Sequence, residues 1–217
     1  MPITIIQFQD LIKALPTRRQ CFSVPRDNFA NIENLFPWVM NLNNILFMNQ
    51  NAIQISRNDL FNHTNIDREK ILKIIYWGYP RGMRGNHLIN ILNNVDLIVE
   101  ELNRLHINNN LIANDYITFH QWTNGINGLG SSTYTKFLYF CNIYFNSIHS
   151  MILDERIITN FNNNIYFEFA NLAPITRNQF PNFYIEYLET LQRLSLTMNT
   201  NEENIEQFLF IFGNNLK

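Results

Sequence analysis

Apolar residues along most of this chain recur at three- and four-residue spacing, the period of one face of an α-helix. Phe8, Leu11, Ile12 and Leu15 form a short amphipathic stretch closed by Pro16. Ile32, Leu35, Phe36, Val39, Met40 and Leu42 form another, and Pro37 inside it forces a break or a helix start. Asp67 is placed to cap a helix carrying Ile71, Leu72, Ile75 and Tyr76, which stops at Gly78-Tyr79-Pro80. The strongest repeat runs from His87 to Leu105 through Leu88, Ile91, Leu92, Val95, Ile98, Val99 and Leu102, and it predicts one long helix. Tyr184, Tyr187, Leu188 and Leu191 repeat the pattern, and Ile205, Phe208, Leu209 and Phe212 complete it near the end. Ile165-Tyr166-Phe167-Glu168-Phe169 has the β-branched and aromatic character of a short strand. The expected class is mostly α.

Glycine punctuates this pattern unevenly. Six of the seven glycines fall in two clusters, Gly78, Gly82, Gly85 and Gly125, Gly128, Gly130. Two Asn-Gly pairs in the second cluster would ordinarily mark a β-hairpin turn. The flanks favour helices: Ile117, Phe119, His120 and Trp122 do not alternate, and Tyr134, Phe137, Leu138, Cys141, Tyr144 and Phe145 keep helical spacing. Ser131 is placed as N-cap of a helix expected over 131–145. The pattern reads as a helix-hairpin-helix, with a β-hairpin or a plain helical turn as alternatives. A dinucleotide fingerprint lacks its third glycine and a preceding strand. In the hairpin, Gly128 and Gly130 let main-chain N–H groups approach an anion, and the helix N-terminus adds partial positive charge. Such a device, with Ser131 at the helix start, grips a phosphate without reading sequence.

Composition narrows the class further. With 217 residues, 46% of them hydrophobic, the chain can bury a sizeable core. It is expected to be one domain over 1–217, made of two helical lobes with the hairpin element near 115–145. Sixteen basic against 18 acidic residues leave a net charge of −2, which argues against coating nucleic acid by bulk electrostatics. A local patch remains: Arg68, Lys70 and Lys73 fit a solvated helix face, whereas Arg81 and Arg84 stand among glycines and fit either phosphate contact or plain surface. Cys21 and Cys141 are too few for a disulfide framework, a zinc set or an iron–sulfur loop. The five histidines lack metal-ligand spacing, so neither a metal nor a cofactor is expected. The first residues lack a signal-peptide pattern and no apolar run reaches a membrane span, so a cytoplasmic protein without a membrane partner is expected.

Asp154, in Leu153-Asp154-Glu155-Arg156, stands just past the helix that the hairpin opens. It reads as an ordinary helix cap or as a carboxylate facing a flipped nucleotide, where it would stabilise positive charge on a sugar and orient water. Trp77 and Tyr79 could stack on a base beside the first glycine cluster, or pack into the core. His120 and Trp122 could line a pocket ahead of the hairpin, though core packing serves equally.

Leu129-Gly130-Ser131-Ser132 with the following helix, then Leu153-Asp154-Glu155-Arg156, resemble the helix-hairpin-helix DNA glycosylase superfamily, especially its 8-oxoguanine glycosylase-like bacterial branch. The motif support covers roughly 113–160. The resemblance implies a two-lobed helical fold with a central cleft, double-stranded DNA as partner, and excision of a damaged or modified base after flipping. It makes Asp154 the catalytic carboxylate and puts Ser132 where the family carries a lysine. That implies a monofunctional glycosylase without Schiff-base lyase chemistry, as in the adenine-mismatch enzymes, with Lys136 one turn further on facing solvent or phosphate. Arg156 departs from the small polar residue or His common two positions after the Asp. Compact relatives of this kind also look like parts of anti-phage systems, including CBASS operons. The alternative is therefore a non-catalytic accessory protein that binds a nucleobase, a nucleotide or a protein partner.

Overall fold

A computed structural model describes residues 2–108, 110–175, 179–213 and 215. The chain is mostly helical. A 3₁₀ turn (Ile5–Phe8) leads into α1 (Gln9–Ala14), and β1 (Cys21–Pro25), α2 (Ala30–Glu33), α3 (Pro37–Phe47) and β2 (Ala52–Ser56) follow. Next come α4 (Arg57–Asn62), α5 (Arg68–Gly78), α6 (His87–Asn93), α7 (Val95–Ile107) and α8 (Ala113–Thr123). After the hairpin loop run α9 (Ser131–Phe140), β3 (Tyr144–Phe145), β4 (Ile148–His149), α10 (Glu155–Asn162), α11 (Phe180–Met198) and α12 (Glu202–Phe212).

Several elements follow directly from their sequence. Pro37 opens α3 at a position where a missing N–H costs nothing. Asp67 caps α5, its Oδ1 accepting from Lys70 N at 2.8 Å. Others depart from expectation. The single helix expected from His87 to Leu105 is broken at Asn94, whose Nδ2 donates to Asn90 O at 2.8 Å and takes a carbonyl from the helical ladder. The stretch expected as a strand at 165–169 gives one isolated bridge, Ile3 with Tyr166, and then a 3₁₀ turn over Phe167–Leu172. The strands lie elsewhere: β1 pairs antiparallel with β2, Cys21 opposite Ser56 and Pro25 opposite Ala52. The helix expected over 131–145 ends at Phe140, and its N-cap is Gly130, in extended conformation, instead of Ser131.

α9 is the spine of the molecule. Every residue from Thr133 to Phe140 is buried, so this helix has no solvent face beyond its first turn. α5 packs along it, and its Trp77 meets Phe140 edge to face with ring centroids 5.0 Å apart. On another side runs the buried segment Met151-Ile152-Leu153. Its polar groups are satisfied from both neighbours. Leu153 N donates to Thr135 Oγ1 at 3.2 Å, Tyr184 Oη to Met151 O at 2.7 Å and Tyr187 Oη to Ile152 O at 3.0 Å. These bonds fix where the chain emerges at Asp154.

Candidate functional site

The hairpin loop 124–130 joins α8 to α9 through tight turns: Gly125 N to Trp122 O, Ile126 N to Thr123 O and Leu129 N to Ile126 O. Gly128 has φ +94°, and a Cβ there would come within 2.7 Å of His87 Cα. The two glycine-bearing loops are thus pressed together, and only glycine fits at the contact. Gly130, by contrast, faces open space. The next backbone bonds start at Thr133 N and Tyr134 N, both to Gly130 O. The N–H groups of Gly130, Ser131 and Ser132 have no acceptor among the described residues, which leaves the start of a ten-residue helix open to an anion. Arg81 and Arg84 are exposed on the neighbouring 79–86 loop.

A pocket of about 370 Å³ opens between the segment carrying β1, α4 and α5 and the segment carrying α10 and α12, with α9 behind it. Phe22, Trp77, Pro80, Ile152 and Phe210 give it apolar walls. Ser132, Lys136 and Asp154 line it from α9 and the start of α10, and Arg57 and Glu206 lie at its inner end.

The ionisable groups are individually anchored. Lys136 is 5% exposed. Its Nζ donates to Ser132 O at 2.7 Å and to Ser132 Oγ at 3.0 Å, and lies 5.2 Å from the centroid of the Tyr79 ring. Tyr79 Oη is 2.7 Å from Thr133 Oγ1, so the ring that backs the amine is itself tied to α9. Of the two places its sequence position suggested, solvent or a phosphate, Lys136 therefore does not face open solvent. α9 is enclosed along this turn, and Lys136 lines the pocket. Asp154 caps α10, Oδ1 accepting from Arg156 N at 2.9 Å and from Ile157 N at 3.4 Å. Asp154 is thus a helix cap that also lines the pocket.

At the inner end Arg57 and Glu206 have side chains only 1% exposed, with Nη2 2.7 Å from Oε2. Arg57 also donates from Nε to Gln20 Oε1 at 2.6 Å and from Nη1 to Tyr139 Oη at 3.0 Å. Burial raises the Glu206 carboxyl to about 7, against the pull of Arg57. Trp77 is buried, its indole N–H turned to Gln20 O at 3.4 Å and one face toward the Arg57 guanidinium.

The model of the family described as "Putative 8-oxoguanine DNA glycosylase OGG-like protein" matches residues 17–210. The chain belongs to this OGG-like family. No curated protein and no solved structure matches it. The matched segment contains every residue that lines the pocket, from Gln20 to Phe210. Of the residues singled out from sequence, the pocket brings together Trp77, Ser132, Lys136 and Asp154. Gly128, Gly130, Ser131, Arg81 and Arg84 form the adjoining outer surface. His120 and Trp122 do not line the pocket. His120 Nδ1 lies 3.0 Å from Tyr134 Oη and Trp122 stacks on Phe119, so both serve the packing of α8. Tyr79 backs Lys136 and does not line the pocket either. Sequence reading missed Gln20, Phe22, Arg57, Glu206 and Phe210. The available signal was Glu206, an acid between Ile205 and Gln207 just ahead of the apolar run 208–212 of α12. Among the described residues no group of three or more His, Cys, Asp or Glu could hold a metal ion, and no helix is long and apolar enough to cross a membrane.

Proposed function

We propose that the protein is a DNA N-glycosylase that draws a damaged or modified base out of duplex DNA into this pocket and cleaves its glycosidic bond. The observation that carries the reading is the convergence of an anchored amine, Lys136, and a carboxylate, Asp154, in one aromatic-walled pocket beside an open helix N-terminus. Family membership supports it. The hairpin N–H groups of Gly130, Ser131 and Ser132 hold a backbone phosphate, and Arg81 and Arg84 reach neighbouring ones. The flipped base enters between Trp77, Phe22 and Phe210, and its deoxyribose stops near Lys136 and Asp154.

Glycosidic cleavage builds positive charge on the sugar, and the Asp154 carboxylate offsets that charge. Lys136, having given up a proton, attacks C1′ with its Nζ lone pair. The C1′–N bond breaks, its electron pair leaves with the base, and the sugar stays bonded to the lysine; the C1′–O4′ bond then opens as O4′ takes a proton from the nitrogen, giving an imine that water hydrolyses to the abasic aldehyde and the free lysine ammonium. The resemblance to the glycosylase superfamily put Ser132 at the nucleophile's place and implied water as the attacker. The 3.0 Å contact between Lys136 Nζ and Ser132 Oγ returns an amine to that same place, so we assign the attack to Lys136. Ser132 orients the amine.

Release of abasic sites from duplexes bearing oxidised, alkylated or glucosylated bases, revealed by hot alkali, tests the reading. Base release by the wild type, lost in Asp154→Asn and in Lys136→Met, is the expected result. Release that survives Lys136→Met but not Asp154→Asn would restore a monofunctional enzyme using water. No release from any duplex, with binding retained, would favour the non-catalytic accessory protein, including the anti-phage role that the resemblance implies.

A further inference from the structure

Two carboxyl groups face this pocket from opposite surroundings. Asp154 is half-buried where α10 begins, its Oδ1 engaged as a helix cap. Glu206 lies at the inner end on α12, with 1% of its side chain exposed. The groups around Glu206 come from every neighbouring element. Arg57 of α4 lies 2.7 Å from Oε2, and Tyr139 of α9 holds another nitrogen of the same guanidinium. Tyr184 and Tyr187 of α11, Asp154 ahead of α10 and Glu203 on α12 also act on it or feel it electrostatically. Burial raises the Glu206 carboxyl most, the negative charges of Asp154 and Glu203 add to that, and Arg57 opposes them, leaving it at about 7. A carboxyl raised in this way can hold a proton to give to a leaving group.

We infer that Glu206 is a catalytic acid that delivers a proton to the departing base. Its position fits the task. With the sugar held beside Lys136 and Asp154 as proposed above, the base goes deeper into the same pocket, which the buried Glu206 lines. The assignment rests on the base-excision reading above and adds a second reacting group to it. As the C1′–N bond breaks, the electron pair goes to the base. The Glu206 O–H bond breaks and its proton passes to a ring nitrogen or carbonyl oxygen of that base, which departs neutral. The carboxylate left behind remains paired with Arg57 until solvent returns a proton after base release. The proton lost by the Lys136 amine passes to solvent, so charge and protons balance over the turnover.

An acid is needed only where the leaving base would otherwise depart as an anion. A base that is already cationic departs neutral unaided. Single-turnover release is therefore measured with duplexes carrying 8-oxoguanine or N7-methylguanine, across about pH 5 to pH 9. Loss of the Lys136 proton helps release of either base alike, so the ratio of the 8-oxoguanine to the N7-methylguanine rate isolates the acid, and in the wild type it should fall about tenfold for each pH unit above about 7. Glu206→Gln should be slower by about 10²–10⁴ on 8-oxoguanine, with the fall in the ratio gone, and within a few-fold of wild type on the cationic base. Equal slowing on both bases would mark a merely structural role and overturn the assignment, as would an unchanged rate. If Glu206→Gln fails to fold with Arg57 left unpaired, the two wild-type profiles decide alone: a ratio of the two rates that does not change with pH overturns the inference. A wild type that releases no base at any pH overturns the excision reading itself, which keeps the two failures apart.

Discussion

Gly78→Ala places one methyl group against the stem of Lys136. Gly78 is the last residue of α5 and needs no unusual backbone angle, so alanine fits the helix and gains about 0.5–1 kcal/mol of propensity. The new Cβ would lie 2.8 Å from Lys136 Cδ and 3.0 Å from Cε. Ordinary carbon contacts stand at about 3.5–4.0 Å, so the stem must retreat by about 1 Å. Lys136 Nζ then leaves its 2.7 and 3.0 Å bonds to Ser132. Misplacing a reacting group by about 1 Å can cost on the order of 10² in rate. The expectation is an unchanged or slightly raised melting temperature, unchanged affinity for an abasic duplex, and single-turnover base release slowed by about 10–10². Calorimetry, fluorescence anisotropy and a quenched-flow excision assay supply the three readouts. Wild-type release by a well-folded Gly78→Ala would refute both the seat of Lys136 and its part in the reaction.

Other outcomes follow from the same structure. Asp154→Asn keeps a good helix cap, so stability should fall by well under about 1 kcal/mol while release falls by about 10²–10³; a large drop in melting temperature would show that the cap matters more than the chemistry. Gly130→Leu has open space and should fold normally yet weaken binding of all DNA sequences equally, read by anisotropy on several duplexes. Gly128→Ala meets His87 and carries φ +94°, so it should destabilise by about 1–2 kcal/mol or more on chemical denaturation. Burial lowers His149 to about 4. The unfolded chain therefore binds more protons than the native one between about pH 6.5 and 4, and this part of the stability is lost as pH falls through that range. His149→Gln should flatten that dependence relative to wild type in melts across the window.

Most of the helices were legible because each buries one apolar stripe, and the glycine spacing at 125–130 pointed to the hairpin. Failures came where tertiary contacts outweighed local pattern. Asn94 looks like any polar position in a helix, and its bond to Asn90 O is invisible in the periodicity. Tyr166 and Phe167 have strand-like side chains, but the one pairing available to them is the isolated bridge to Ile3. The open start of α9, which we propose holds a phosphate, was readable because it is local backbone geometry. The pocket was not, because Gln20, Arg57, Trp77, Asp154 and Glu206 are distant in sequence and meet only through packing. The solvent-facing half of the Lys136 reading failed for a related reason. A lysine one turn from a helix start normally finds solvent, but α9 is enclosed from Thr133 onward and this amine lines the pocket.

Borohydride trapping of the reaction on a duplex carrying 8-oxoguanine, followed by peptide mapping of the adduct, bears most directly on the central claim. The account predicts a covalent protein–DNA species whose modified peptide contains Lys136, and its disappearance in Lys136→Met. Base release without any trapped species, or an adduct mapped to another residue, would contradict it.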